Sequence, residues 1–218
     1  MALSKVDFNN INVTPAASKK LKWNSSANGF ETGDVGGSMV LLSTQTASSS
    51  ATIDFTSNID STYKEYIFKF IDIHPATNRE YLVFQADTGT NTNYNIAATT
   101  SYFQAYETEA GGGGVLAYNT NHDDAQSTSF LRLAVVQCAD NDASCVGVLH
   151  IFEPSSTTFV KHFFSVNQSM AEDGSGTKYS MSNQKAGYFN TTTALTRFRF
   201  KMSSGNIDAG TIKMYGVT

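Results

Sequence analysis

The chain has 218 residues, a formal net charge of −4 and a charged fraction of 16%, where about 25% is usual for soluble proteins. This length can bury a sizeable core as one domain. The mild acidity argues against a nucleic-acid-binding surface, which is normally clearly basic. Because no stretch approaches the roughly 20 apolar residues of a membrane helix, we expect neither nucleic acid nor a membrane as a partner.

The first part of the chain differs from the rest. Residues 1–37 have little strand periodicity and contain Pro15, Asn28-Gly29 and Gly36-Gly37, which are turn formers. We predict an N-terminal arm over 1–37 and one β-domain over 38–218. Met1–Asn10 lacks the apolar region of a signal peptide, so we expect the protein to accumulate in the cytoplasm of the cell that makes it.

The densest basic cluster lies in this arm, in the segment SKKLKW. It has two interpretations. It could anchor the arm on an acidic neighbour, with Leu21 and Trp23 filling a pocket. It could equally be a solvated turn with Trp23 folded back on its own core. The candidate contact residues are Lys19, Lys20, Leu21, Lys22 and Trp23.

Short segments rich in β-branched and aromatic residues follow, and few segments keep an apolar face at helical spacing. The longest, Tyr63–Ile73, places Phe68 and Phe70 on one face and Ile71 and Ile73 on the other. This predicts a central strand covered on both sides. The predicted strands are Met39–Ser43, Ala51–Phe55, Tyr63–Ile73, Tyr81–Ala86, Tyr94–Ala97, Tyr102–Tyr106, Phe130–Gln137, Val146–Phe152, Phe159–Val166, Lys185–Asn190, Thr196–Met202 and Thr211–Val217.

Gly, Asn and Ser separate these strands, and two packed antiparallel sheets are the expected arrangement. The sequence therefore predicts an all-β antiparallel sandwich with an extended N-terminal arm. A jelly roll is the preferred topology, because it recurs in virion and lectin domains. The three long polar loops are predicted at Thr108–Gly114, Asn119–Ser129 and Gln168–Lys178.

Two cysteines, Cys138 and Cys145, flank one of the shorter loops. No second pair of Cys or His has the spacing of metal ligands. A disulfide across the loop base is sterically allowed if the two Cα atoms come within about 7 Å. Two free thiols fit a cytoplasmic product at least as well.

The remaining chemical groups favour structural roles. His122, Asp123 and Asp124 could serve as metal ligands or as an acid and a base, but adjacent residues rarely converge on one point, and a solvated loop is the preferred interpretation. Acidic loops containing Asp140 and Glu172 resemble fragments of calcium sites without the full ligand spacing. We therefore predict no catalytic residue, no metal and no cofactor.

The last 24 residues, Leu195–Thr218, carry the most informative pattern. Phe198 and Phe200 alternate with Arg197 and Arg199 before Ser-Ser-Gly-Asn interrupts the strand, which predicts a β-hairpin belonging to the core. The segment resembles the C-terminal MSSGNIxxGTIKxYG signature of small β-rich virion structural proteins of marine tailed phages, especially cyanophages. Further matches are FEPSSTTFVKHF (Phe152–Phe163), AGYFNTT (Ala186–Thr192), Ser48–Pro75 and the Ala-Leu-Ser-Lys that follows Met1.

The resemblance implies a virion structural protein without enzymatic activity, located in the phage particle. A tail-fibre or receptor-binding appendage attached by its arm is the favoured role, and a head decoration (cement) protein is the alternative. The implied partners are further copies of the chain, as a homotrimer, other virion proteins, and a glycan or protein of the host surface. A second alternative is a polysaccharide-degrading enzyme on a jelly-roll scaffold, which fold analogy alone supports.

Overall fold

The computed structural model describes residues 19–26, 28–34 and 39–217, and the chain divides into two compact units, 1–38 and 39–218. Every regular element in the described ranges is a β-strand, which confirms the predicted all-β class. No helix in this part of the chain is long and apolar enough to cross a membrane. The strands are β1 (Lys19–Trp23), β2 (Phe30–Asp34), β3 (Met39–Ser50), β4 (Ile53–Phe55), β5 (Glu65–Pro75), β6 (Glu80–Asp87), β7 (Ala98–Thr108), β8 (Val115–Tyr118), β9 (Asp124–Ser127), β10 (Leu131–Gln137), β11 (Cys145–Phe152), β12 (Lys161–Glu172), β13 (Lys178–Phe189), β14 (Arg197–Met202) and β15 (Ile207–Val217).

Four antiparallel strand pairs are nested along the second unit. β3 pairs with β15, β4 with β14, β5 with β11, and β6 with β10. The pairs lie side by side in the orders β3-β15-β5-β11 and β4-β14-β6-β10. A hairpin-like ribbon of eight strands wrapped into two sheets in this way is a jelly roll. The predicted antiparallel sandwich and its topology are therefore confirmed.

Two insertions enlarge one of the sheets. β7–β9 follow β6, and β12–β13 follow β11, and together they continue that sheet in the order β11-β12-β13-β7, with β8 and β9 on the far edge of β7. We call β7, β12 and β13 the extension. β12 also joins the two sheets at a corner, because it pairs with β11 up to Ser169 and then with β10 at Ala171.

The main core lies between the two four-stranded sheets and is rich in phenylalanine. Phe200 has no exposed surface, and its ring contacts four others at centroid distances between 5.1 and 6.2 Å, namely those of Phe55, Phe68, Phe70 and Phe84. Alternation along β14 places Phe198, Phe200 and Met202 in this core. The C-terminal hairpin therefore belongs to the core, as predicted.

The inner face of the extension has a different character. Its strands alternate as regularly as the others, but the buried side chains are largely polar, as in the alternating burial of β12. The buried polar residues of the extension are Thr100, Lys161, Ser165, Asn167, Ser169, Glu172, Asn183 and Lys185. Two of the lysine-centred clusters described below, those of Lys178 and Lys185, involve residues of this face.

Two glycines of the C-terminal signature occupy positions where the backbone packs too closely for a Cβ atom. Gly210 has a φ of +117°, and a Cβ there would overlap the backbone of Asp72 on the adjacent strand. A Cβ on Gly216 would overlap the ring of Tyr63. Only glycine combines such a backbone angle with this close approach of chains. The signature therefore marks the packing of β15 in the jelly roll.

The prediction that the central strand is covered on both sides holds for Ile67, which is buried on the second face, but is wrong for Ile71. Asp72 has a φ of +51°, and the register with β11 shifts between Phe70 and Ile73, which is a β-bulge. The extra residue turns Ile73 into the core, where it is fully buried, while Ile71 stays 39% exposed on the outer face.

Strand limits were predicted less well where the strands are polar. Tyr94–Ala97, predicted as a strand, lies before β7 and is irregular. The loop predicted at Gln168–Lys178 is shorter, because β12 continues to Glu172 and β13 begins at Lys178. The strands β1, β2, β8 and β9 were not predicted.

Candidate functional site

The basic cluster of the arm lies on a β-hairpin. β1 pairs with β2 from Lys19↔Asp34 to Trp23↔Phe30, and all five residues of β1 are exposed. Trp23 is 61% exposed and stacks on Phe30 at 4.4 Å, while Lys22 pairs with Glu31 at 3.1 Å. Trp23 therefore has a ring partner within the hairpin and still offers most of its surface.

The disulfide considered for Cys138 and Cys145 is not formed, since both thiols are free and buried. The two sulfur atoms have different surroundings. Cys138 Sγ accepts a hydrogen bond from Lys178 Nζ at 3.1 Å, whereas Cys145 belongs to the main core. Burial raises the pKa of the Cys145 thiol to about 12, so this thiol stays protonated near neutral pH.

A group of potential metal ligands surrounds Cys138. Ligand atoms of Cys138, Asp140 and Glu172 lie within 4.8 Å of one another. The ammonium group of Lys178 lies among them, 2.8 Å from Asp140 Oδ2 and paired with Glu172. Its hydrogen bonds lower the pKa of both carboxyl groups, and the carboxylates, Asp140 first, raise the pKa of Lys178. A cation is already present in this cluster, and a metal ion would have to displace it.

The acidic loops considered for calcium do not come together as one site. Asp140 and Glu172 meet at Lys178, as described, but Asp142 lines a separate hollow of about 570 Å³ with Asp72, His74 and Asp208. The carboxylate of Asp173 instead accepts hydrogen bonds within the β12–β13 turn, from Ser175, Thr177 and Tyr179. These bonds, with that of Tyr179 first, hold the pKa of Asp173 far below its usual value.

The side chains of His122, Asp123 and Asp124 take separate partners. His122 Nδ1 lies 3.0 Å from the Arg132 guanidinium, and Asp123 accepts a hydrogen bond from the Tyr118 hydroxyl at 2.6 Å. Burial lowers the pKa of His122, and Arg132 acts in the same direction. The three adjacent residues therefore do not form an acid–base group.

Asp124 is paired with a lysine that sequence reasoning did not single out. Lys185 Nζ lies 2.7 Å from Asp124 Oδ2, and it also donates to Thr100 Oγ1 and to the His122 carbonyl, both at 3.0 Å. The Lys185 side chain is fully buried, and burial lowers its pKa against the opposing effect of Asp124. Because the Lys185 ammonium group has three partners, the pair of Lys185 and Asp124 has a structural role in the extension.

The outer face of the large sheet, turned away from the core, carries several exposed apolar side chains. Phe164 and Val166 point outward from β12, while their neighbours Phe163 and Ser165 are buried. Contiguous apolar residues on a surface commonly mark an interaction site. The outward residues that are 39–76% exposed are Leu41, Ile71, Phe103, Leu116, Tyr118, Val146, Phe164 and Val166.

A shallow hollow of about 530 Å³ lies on this outer face over the extension. Ala186 and Ser101, which are opposite each other on β13 and β7, form its floor. Aromatic side chains surround this floor. We call the hollow and its lining side chains the aromatic hollow: Phe152, His162, Phe164, Tyr188, Thr99, Ser101 and Ala186.

Ring contacts hold the walls of the aromatic hollow in place. Phe152 and Phe164 are stacked with centroids 5.8 Å apart, and His162 lies 5.9 Å from Tyr188. Phe164 also stacks on His150 at 4.5 Å and 13°, and His150 in turn pairs with Glu65. The aromatic walls are therefore supported from the neighbouring strands, as a binding site requires.

The sequence contained a weak signal of the aromatic hollow. His-Phe-Phe-Ser-Val at the start of β12 has apolar residues at both odd and even positions, so one of them must face outward on a strand. The protein matches no family model, no curated protein and no solved structure. The aromatic hollow and the arm are therefore interpreted from their own chemistry.

Proposed function

We propose that the chain is a structural and binding subunit of a tailed-phage particle, and that it belongs to a tail fibre or receptor-binding appendage. The resemblance of the C-terminal signature and of the upstream segments supports the virion assignment. The observation that carries the binding role is the aromatic hollow. Its ligand in this proposal is a glycan of the host surface.

The chemistry of the aromatic hollow suits a sugar ring. The exposed ring of Phe164 and the half-buried ring of Tyr188 can cover the apolar C–H face of a pyranose, while hydroxyl groups of Thr99 and Ser101 can hydrogen-bond its oxygens. Ligand sites commonly combine apolar walls with a few placed polar groups, in volumes of roughly 300–1,000 Å³. The volume of about 530 Å³ lies in this range.

The arm supplies the attachment in this proposal. The β1 strand presents basic groups and a largely exposed Trp23, and aromatic residues beside cations are common anchors at protein interfaces. Contact of Lys19, Lys20, Leu21, Lys22 and Trp23 with another virion protein stays a prediction, as does the homotrimer.

Binding can be tested with the full-length protein and polysaccharide from the surface of host cells, by calorimetry. We expect Phe164→Ala and Tyr188→Ala each to weaken binding roughly tenfold, which corresponds to about 1.4 kcal/mol. Phe159→Ala is the matched control, because Phe159 is 66% exposed in a loop and does not line the aromatic hollow. Equal binding by all variants, or none by the parent protein, would contradict a glycan site here.

Two further measurements separate the alternatives. Quantitative mass spectrometry of purified particles gives the copy number: a handful of copies supports the appendage, hundreds support a head decoration protein, and none contradicts the virion role. Reproducible release of oligosaccharides during the binding experiment would instead establish the polysaccharide-degrading enzyme.

A further inference from the structure

The sheet edge formed by β3 differs from the other sheet edges of this unit. The remaining terminal strands of the jelly roll and its insertions are short, with three residues in β4 and four each in β8 and β9. β3 has twelve residues, MVLLSTQTASSS, with no charged residue and no proline. Among the described residues it pairs with β15 alone.

Proteins usually protect a free sheet edge with charges, prolines or short strands, because unpaired N–H and C=O groups template pairing with another chain. Alternate residues of an antiparallel edge strand point these groups away from their partner. One β-bulge, opposite Met214–Tyr215, interrupts β3 near Leu42. The apolar side chains Met39, Val40 and Leu41 beside it are 40–51% exposed.

The last residues of β3 already make hydrogen bonds within the subunit. Asn206 Nδ2 donates to the Ser49 carbonyl at 2.9 Å, and Ser49 Oγ donates to Asp208. The Ser48 amide donates to the Ser50 hydroxyl. Residues 39–47 make no such edge contact in the described part of the chain, so they form the available edge.

We infer that residues 39–47 of β3 pair antiparallel with the same segment of a second copy of this chain. The absence of charge in this segment favours a copy of itself as the occupant, because an uncharged strand meets its two-fold mate without the repulsion of like charges placed opposite each other. A two-fold contact uses the same patch on both subunits, and main-chain hydrogen bonds supply the affinity, as in other strand additions.

The symmetry of this pairing has a functional consequence that rests on the proposed function. Antiparallel strands of one continuous sheet are related by a two-fold axis along the sheet normal, so both outer faces lie on the same side. The two aromatic hollows of such a dimer would face one surface together. Two linked sites on a glycan-covered surface bind more tightly than either alone.

Hydrogen exchange of the full-length protein at low and high concentration, with parallel sedimentation, tests the inference. We expect a dimer at high concentration and slower exchange in residues 39–47 at the same concentrations. Thr44→Lys, on the exposed edge, should give a monomer and remove the concentration dependence. Ser182→Lys is the control, because Ser182 lies on interior β13 between β12 and β7 and should leave the dimer intact.

Three results would overturn the inference: a monomer throughout, a dimer whose β3 exchange does not change, or a trimer, because a two-fold strand pairing closes with two copies. Unchanged protection of β5 and β11 in Thr44→Lys confirms that the variant is folded. Binding at the aromatic hollow is measured separately, so failure of the edge pairing and failure of the proposed glycan site are distinguishable.

Discussion

The main core and the inner face of the extension both pack against the large sheet but are built from opposite chemistry. In the core, Phe200 packs among four other phenylalanine rings. In the extension, Lys185 is just as buried but is held by an ion pair and hydrogen bonds. The jelly roll is stabilised by apolar burial, whereas the extension depends on matching polar groups. Substitutions in the two regions should therefore differ in size and in kind.

The largest effect is expected in the core. Phe200→Ala removes a fully buried ring and should reduce the free energy of unfolding by about 3–5 kcal/mol, the usual cost of such a truncation. Urea unfolding followed by fluorescence measures it. A loss below about 1 kcal/mol would place Phe200 outside the core, since fully buried rings do not yield such small values.

The second effect concerns the buried ion pair of the extension. Lys185→Met removes the counter-ion of Asp124, whose carboxylate keeps the Thr100 hydroxyl as a donor, and should cost about 1–3 kcal/mol, the typical penalty for a stranded buried polar group. Adding Asp124→Asn should recover part of this loss, because replacing both partners of a buried pair is often neutral. A double-mutant cycle in urea measures the coupling; additive losses would show that the pair is not energetically linked.

The pH dependence of the same variant gives a second measurement. Since burial lowers the pKa of Lys185 in the folded state, the unfolded chain binds more protons between that lowered value and the usual pKa of about 10.4. The parent protein should therefore gain stability relative to Lys185→Met as the pH rises through this window. A constant difference across the window would contradict the lowered pKa.

The smallest effect is expected at an unpartnered group. Ser165 Oγ, Asn167 Oδ1 and both polar atoms of the Gln137 amide have no hydrogen-bond partner among the described protein atoms, and internal water is their expected partner. Ser165→Ala should change stability by less than about 1 kcal/mol, since no protein hydrogen bond is lost. Ser169→Ala is the control, because Ser169 Oγ accepts a bond from Asn183 and should cost more. A loss for Ser165→Ala as large as that for Ser169→Ala would contradict this prediction.

The same contrast explains what the sequence could predict. Alternation of Phe198, Phe200 and Met202 with basic residues was sufficient to place β14 in the core. In the extension, Ser169 and Asn183 occupy buried positions where apolar residues are expected, so the ends of β12 and β13 resembled a loop. Residue pattern identifies a strand only when its two faces differ in polarity.

The aromatic hollow could not be predicted for a different reason. Its walls come from Phe152 on β11, Phe164 on β12 and Tyr188 on β13, and Ser101 on β7 completes the floor. These strands are neighbours only because two separate insertions meet at one side of the jelly roll. The sequence indicated the strands but not their order, and no local pattern specifies that order. The hairpin of the arm was not predicted, because its two strands have only five residues each and the Asn and Gly residues between them are typical of an irregular segment.

The position of β15 between β3 and β5 has a consequence for how the chain folds during synthesis. β3 leaves the ribosome early, yet its only described partner strand is made last of all the strands. Until then both edges of an uncharged twelve-residue strand are open to other nascent chains. Topologies dominated by such distant pairings fold slowly and are prone to aggregate before completion. Efficient production of this protein should therefore depend on chaperones that hold β3 until translation of β15 is complete.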